Sequence, residues 1–306
     1  MASVTLAESA KLALDDLVAG VIENIITVNQ MYEVLPFDGI EGNSLAYNRE
    51  NVLGDVQMGG VDSTITAKAA ATFTKVNSNL TTILGDAEVN GLIQATRSGD
   101  GNDQTAVQIA SKAKSAGRKF QDQLINGTGA SDEFEGLINL CPAGQTLSSS
   151  ANGDALSFEI LDELIDTVTD KDGQVDYIAM HARTRRSYRS LLRGLGGAGI
   201  METVEMPSGA EVMSYNGIPV FRNDYIPTNQ TQGTTTDATS IFAGTLDDGS
   251  RTHGIAGLTA LNASGIQVVD VGESEDKDNH IWRVKWYCGL ALFSEKGIAM
   301  RPGITN

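Results

Sequence analysis

Small and apolar residues at spacings of three and four, Val107, Ala110, Ala113, Gly117, Phe120 and Leu124, fall on one face of a helix. Asp103 stands where an N-cap belongs and Asn126-Gly127 where a helix stops, so the pattern predicts one long helix, about 33 Å at 1.5 Å per residue. Behind it the glycine-rich stretch GTGASDEFEG leads into Gly136-Leu137. A second stripe, Leu6, Ala10, Leu14, Leu17, Val21 and Ile25, follows a Thr5/Glu8 capping-box pattern and predicts an amphipathic helix over 5–27. Such a stripe is buried either on a neighbouring molecule or in the core of its own domain.

Between and after these helices the pattern changes to short alternation. MYEVLPF at 31–37 is strand-like, and SLAYNREN and ATFTKVNSNLTTIL flank a middle, LGDVQMGGVDSTITAK, with no strong apolar pattern. Two strands around a long middle predict a protruding hairpin, ordered by whatever it covers or else an ordinary surface loop. Residues 141–157 are rich in Pro, Gly and Ser and suggest a linker and domain boundary. Ser157 then caps a helix carrying Phe158, Leu161, Leu164 or Ile165, and Val168. VDYIAMH follows as a strand and RTRRSYRSLLRGL as a helix, while the polar run 228–239 suggests an exposed loop. ASGIQVVDV and HIWRVKWYCGLALF predict two strands around the acidic turn GESEDKDN. In the second, Ile281, Arg283, Lys285 and Tyr287 alternate with Trp282, Val284, Trp286 and Cys288, one face for solvent and one for the core. Helices and strands in this order make an α+β fold.

Composition narrows the function classes. With 306 residues, 41% hydrophobic and 20% charged, the chain is long and apolar enough to bury a sizeable core. Its 39 acidic against 22 basic residues give a formal charge of −17, which disfavours non-specific nucleic-acid binding. Two cysteines make no disulfide framework, and neither a secretory leader nor a membrane-spanning apolar run is visible. The 33 glycines imply many turns and adaptable loops.

Little catalytic chemistry is visible. His181, His253 and His280 are scattered without metal-ligand spacing, and there is no Gly-x-Ser-x-Gly elbow or Walker loop. Cys141 with His181 is the one nucleophile and base pair to weigh, the basis of an alternative as a soluble cysteine hydrolase. Gly194-Leu-Gly196-Gly-Ala-Gly199 has the letters of a dinucleotide fingerprint but follows a helix instead of a strand, so a mobile glycine loop is the better account. Arg183, Arg185, Arg186, Arg189 and Arg193 concentrate positive charge on an acidic chain. They suit carboxylates of an adjacent subunit, the other option being an anion or DNA patch.

The order of these segments resembles that of a known family. The long helix ending in Asn126-Gly127, DYIAMHARTRRSYRSLL at 176–192, MSYNGIPVFRNDYIP at 213–227 and IFAGTLDDG at 241–249 are similar to successive segments of tailed-bacteriophage major capsid proteins of the Hong Kong 97-type fold, shared with encapsulins. The resemblance implies an N-terminal arm (1–32), then a peripheral domain (33–140) with an extended loop at about 45–75 and a spine helix at about 104–126. An axial domain (141–262), peripheral return strands (263–290) and an axial C-terminal segment (291–306) complete it. It also implies a non-enzymatic shell subunit without cofactor or metal, forming pentamers and hexamers of an icosahedral head in the virion. Host-cytoplasmic assembly, double-stranded DNA enclosed without sequence reading, a portal protein, a decoration or cement protein and no membrane association belong to the same expectation. The few residues before the first helix suggest a separate scaffolding protein, and an encapsulin-type compartment is the alternative within the fold. In relatives that weld their shells, a loop lysine joins a neighbour's asparagine; Lys68 and Asn279 are the corresponding candidates, at an inter-subunit interface together with the five arginines.

Overall fold

The long helix forms over Gln104–Asn126, with Asp103 accepting a hydrogen bond from the Thr105 amide as its N-cap. The structure, a computed structural model, describes Met31 and residues 34–97, 103–170, 173–194, 202–206 and 209–305. The amphipathic stripe at 5–27 and most of the glycine run at 194–199 lie outside the described residues. In chain order the first elements are β1 (Phe37–Ile40), β2 (Ser44–Val52), β3 (Thr72–Asn79), β4 (Thr81–Asn90), α1 (Gly91–Arg97), the spine helix α2 and the helical turn α3 (Leu137–Leu140). Next come β5 (Asp154–Ala155), α4 (Phe158–Thr169), β6 (Tyr177–Met180), α5 (Ala182–Gly194), β7 (Thr203–Glu205), β8 (Glu211–Tyr215) and β9 (Ile218–Arg222). The chain continues through β10 (Gln230–Gln232), β11 (Thr235–Gly244), β12 (Ile255–Ala260), β13 (Gln267–Glu273) and β14 (Asn279–Leu292) to β15 (Ile298–Thr305).

Two sheets and a free-standing hairpin organise these strands. The first sheet runs β1-β12-β14-β13, with β4 on the opposite flank of β14. Its buried face closes on the C-terminal half of α2, where Phe120, Leu124 and Ile125 meet Trp286, Cys288 and Leu290. The alternation read in β14 holds at Val284, Trp286 and Cys288, which are buried, whereas Trp282 stays half-buried. The second sheet runs β5-β15-β11-β6-β9-β8-β7, and α4 and α5 pack Leu161, Leu164, Val168, Tyr188 and Leu192 against Ile178, Val220 and Ile241. Where α2 ends, the Gly136 amide donates to the Gly127 carbonyl and the Gly127 amide to the Gln123 carbonyl, and the chain is so close that a Cβ on Gly127 would sit 2.2 Å from the Phe134 carbonyl oxygen. The two-residue turn Asn216-Gly217 joins β8 to β9 with φ of 50° and 77°, the left-handed pair that a tight hairpin requires.

Several segments differ from the sequence expectation. Residues 141–157 are no free linker: Leu147 donates to the Met300 carbonyl and β5 pairs with β15, so the stretch is a border of the second sheet. The polar run at 228–239 folds into β10 and the start of β11, because its β-branched threonines favour extended backbone; Thr239 is wholly buried. In 31–37 the strand begins only at Phe37, and the Leu35 amide donates to the Met31 carbonyl at helical spacing. Strand β12, inside the stretch 141–262, joins the first sheet, since Ile255 and Ala256 on its two faces are both buried and β12 and β13 continue one another along β14. The stripe of α2 is buried at Phe120 and Leu124, while Ala110 is exposed and Val107, Ala113 and Gly117 are half-buried.

One ion pair fastens the outer face of the first sheet and sets an acid limit. Arg283 donates from Nε and Nη2 to the two carboxylate oxygens of Asp86, each at 2.8 Å, across the β4–β14 register. Chiefly through that hydrogen bonding, the guanidinium holds the Asp86 carboxyl below the usual carboxylate range. A carboxyl depressed by folding stabilises the fold above its unfolded pKa, and the contribution disappears as pH falls through the folded value. Acid titration of urea stability is therefore expected to fall more shallowly below about pH 4 in Asp86→Asn than in the parent chain. Equal slopes would refute the assignment.

Candidate functional site

The hairpin β2–β3 projects from the body and carries the most unusual surface of the chain. Its base is anchored: Tyr47 Oη donates to the Leu292 carbonyl at 2.7 Å, and Arg49 donates to the carbonyls of Leu292 and Phe293 while pairing with Glu295. Beyond Val52 the strands end, and 53–71 is held only by itself. The Gln57 side chain ties it, its Oε1 accepting from the Thr66 amide and hydroxyl and the Ala67 amide, and its Nε2 donating to the Thr64 carbonyl. Among the described residues no hydrogen bond joins this tip to the body. The tip nevertheless presents Leu53, Val56 (89% exposed), Met58, Val61 (97% exposed) and Ile65 to solvent. Apolar side chains gathered on a segment without a core of its own mark a contact surface. Lys68 stands exposed on the same tip.

The second candidate surface is α5. Its inward residues, Thr184, Tyr188 and Leu192, are buried, and Tyr188 Oη donates to the Ser214 carbonyl of β8 at 2.9 Å. Spacing of four along a helix lines up Arg185, Arg189 and Arg193, with Arg186 beside them. Arg183 is already used within the chain, pairing with Asp237. Arg185 is half-buried too, and its Nε, like that of Arg183, is enclosed without a hydrogen-bond partner, but the charges near it are Arg189 and Arg222. Burial first, and then these two like charges, lower its pKa from the ordinary guanidinium value. Arg189 lies over the Met213 sulfur, and Arg186 and Arg193 are exposed. Among the described residues no salt bridge engages Arg185, Arg186, Arg189 or Arg193.

The structure does not join the catalytic candidates. The buried Cys141 thiol contacts Thr146 Oγ1 and the carbonyls of Pro142 and Gln145, and burial raises its pKa, which disfavours the thiolate a nucleophile needs. His181 serves α5 instead, with Nδ1 accepting from the Arg183 amide at 3.0 Å, and none of its hydrogen bonds reaches Cys141. Among the described residues no group of three His, Cys, Asp or Glu side chains is placed to hold a metal ion. Asn279 is 3% exposed at the end of β14, where its Oδ1 accepts from Asn90 of the same chain. A covalent link to Lys68 of another copy would first have to open the β4–β14 end. Sequence reasoning missed the anchors Tyr47 and Arg49, whose partners lie more than 240 residues away, and Arg222, which ends β9 beside the α5 arginines.

Comparison with known proteins agrees with a surface-bearing subunit. The family model described as SU10 major capsid protein matches residues 56–238, a span from the hairpin tip to β11. No curated protein matches the sequence. The holo-SrpI encapsulin complex from Synechococcus elongatus PCC 7942 has a similar structure, with a TM-score of 0.74 at 18% identity over 99% of this chain and 96% of that one. The capsid of an empty GTA particle aligns with a TM-score of 0.66 at 13% identity, covering 93% of this chain and 100% of that one. The corresponding values for Microbacterium phage Oxtober96 are 0.64 and 14%, with both chains covered in full. At such identities the likeness establishes the fold, the Hong Kong 97 type.

Proposed function

The chain belongs to the SU10 major capsid protein family, and from that premise we propose that it builds the icosahedral head of a tailed double-stranded DNA phage from pentamers and hexamers of itself. The observation that carries the proposal is the hairpin tip, five large apolar side chains on a projection that covers nothing of its own chain among the described residues. Placed over an adjacent copy, each buried side chain would contribute roughly 1.5–3 kcal/mol before the costs of association. Repeated around every symmetry axis, contacts that are weak singly close a stable shell. The work is geometric, and the inert surroundings of Cys141 favour a structural role over hydrolysis. A scaffolding protein, a portal protein, a decoration or cement protein and assembly in the host cytoplasm before incorporation into the virion complete the proposal. The acidic balance, −17, suits an interior that does not adsorb the genome it encloses.

An encapsulin-type compartment is the second reading, favoured by the likeness to the encapsulin complex. Electron microscopy of the purified chain, with and without a co-expressed scaffolding protein, tests both. Closed particles are the expected result, and an exclusively monomeric chain under both conditions would refute them. Nuclease-protected DNA in particles from infected cells supports the phage head, whereas protein cargo without DNA supports the compartment.

A further inference from the structure

Among the described residues the second sheet ends in a strand with no partner on its outer side, and that edge is acidic. Strand β7 is terminal in the order β9-β8-β7, and Glu205 on it lies directly opposite Glu211 on β8. Like charges facing each other across strands are destabilising. Both are exposed, as is Glu202 at the start of the same edge, and among the described residues no salt bridge engages any of the three. Beside them α5 carries the opposite imbalance: among the described residues Arg185, Arg186, Arg189 and Arg193 have no carboxylate partner, although the chain holds 39 acidic residues. One molecule therefore displays a set of cations without anions and a set of anions without cations.

We infer that the arginine stripe of α5 in one copy pairs with the Glu202, Glu205 and Glu211 edge of the next. The inference rests on the shell proposal, since it needs repeated copies, and it deepens that proposal by naming a contact. The two patches are different surfaces, so the contact is heterologous and runs head to tail around a ring. A guanidinium that is half-buried gains more from a carboxylate than an exposed one does, because water screens it less. Opposing carboxylates likewise gain from an intervening arginine. Complementary charge also fixes the direction of docking and rejects a flipped neighbour.

Charge reversal with compensation tests the contact, using exposed positions. Arg189→Glu with Arg193→Glu is expected to lower the yield of closed particles about tenfold or more, like-charge juxtaposition at a contact being worth several kcal/mol. Glu205→Arg with Glu211→Arg should do the same, and all four changes together should restore the yield to within about threefold of the parent chain. The unassembled subunits should keep the parent thermal midpoint, which shows that folding is intact. Parent-like yields from either reversed pair, or no recovery in the fourfold variant, overturn the inference and leave the shell proposal standing. Particles of normal yield that lose packaged nucleic acid on arginine reversal also overturn it, in favour of a nucleic-acid site. A parent chain that builds no particles overturns both.

Discussion

Replacement of residues 53–71 by a short Gly-Ser turn between β2 and β3 is expected to give a subunit that folds and melts like the parent chain but closes no shells. Among the described residues the bonds that hold the hairpin to the body lie outside the deletion: Tyr47 and Arg49 still bond to the Leu292 and Phe293 carbonyls, and the β2–β3 ladder is untouched. What disappears is Leu53, Val56, Met58, Val61 and Ile65, all exposed and therefore contributing almost nothing to the isolated fold. Their burial on a neighbour would be worth a gross total of about 7–15 kcal/mol per subunit before ordering costs. Thermal unfolding and sedimentation velocity separate the two consequences. Shells at normal yield would remove the hairpin from the assembly mechanism, and a lowered melting midpoint would show that the tip supports its own body. Met58→Glu with Val61→Glu, which keeps the chain length, is the milder form and should act in the same direction.

The parts of the fold legible in the sequence are those governed by local periodicity. Helix α2 was readable because its N-cap and its Asn-Gly stop are single-residue signals, and α4 because Ser157 caps a clean apolar stripe. The β8–β9 hairpin announced itself in Asn216-Gly217. Composition misled at 141–157 and 228–239, where small and polar residues imply loops but the backbone borders a sheet. At 141–157 the deciding factor is the edge of β15, far along the chain and outside any local window, whereas at 228–239 β10 and the start of β11 pair with each other within the run. The sheet that β12 joins was not legible for a similar reason: its place is set by β14, some thirty residues further on.

Of the candidate surfaces, the arginine stripe was visible as a charge cluster but its environment was not. That Arg183 is spent on Asp237 while Arg185 is half-buried beside Arg222 depends on the packing of α5 on β8 and β9. The hairpin was visible as two strands around a weak middle. That Val56 and Val61 stand almost fully in solvent could not be read, because scattered apolar residues in a glycine-rich stretch look alike whether covered or not. Asn279 shows the converse, a polar residue suited by type to a surface role that the register of β4 and β14 buries.

Phe120→Ala should cost the subunit about 3–5 kcal/mol, the range for removing a fully buried phenylalanine. The ring is completely enclosed and lies 4.5 Å from the Trp286 ring, 5.6 Å from Phe134 and 5.7 Å from Phe37, measured between centroids. Those neighbours come from β14, from the turn after α2 and from β1, so one side chain joins the spine helix to three separate segments. Truncation removes the transfer energy of the ring and leaves a void that tilted aromatic partners, fixed by their own backbones, cannot close. Against a total stability of about 5–15 kcal/mol for a typical domain, such a loss would leave a marginal subunit. Urea unfolding of unassembled protein measures it, with an unchanged m-value showing that the loss is one of stability and not of cooperativity. The matched control is Phe73→Ala on the exposed hairpin, expected to stay within about 0.5 kcal/mol of the parent. A Phe120→Ala loss below about 1 kcal/mol would mean that the first sheet and the spine helix are held by something other than this aromatic cluster.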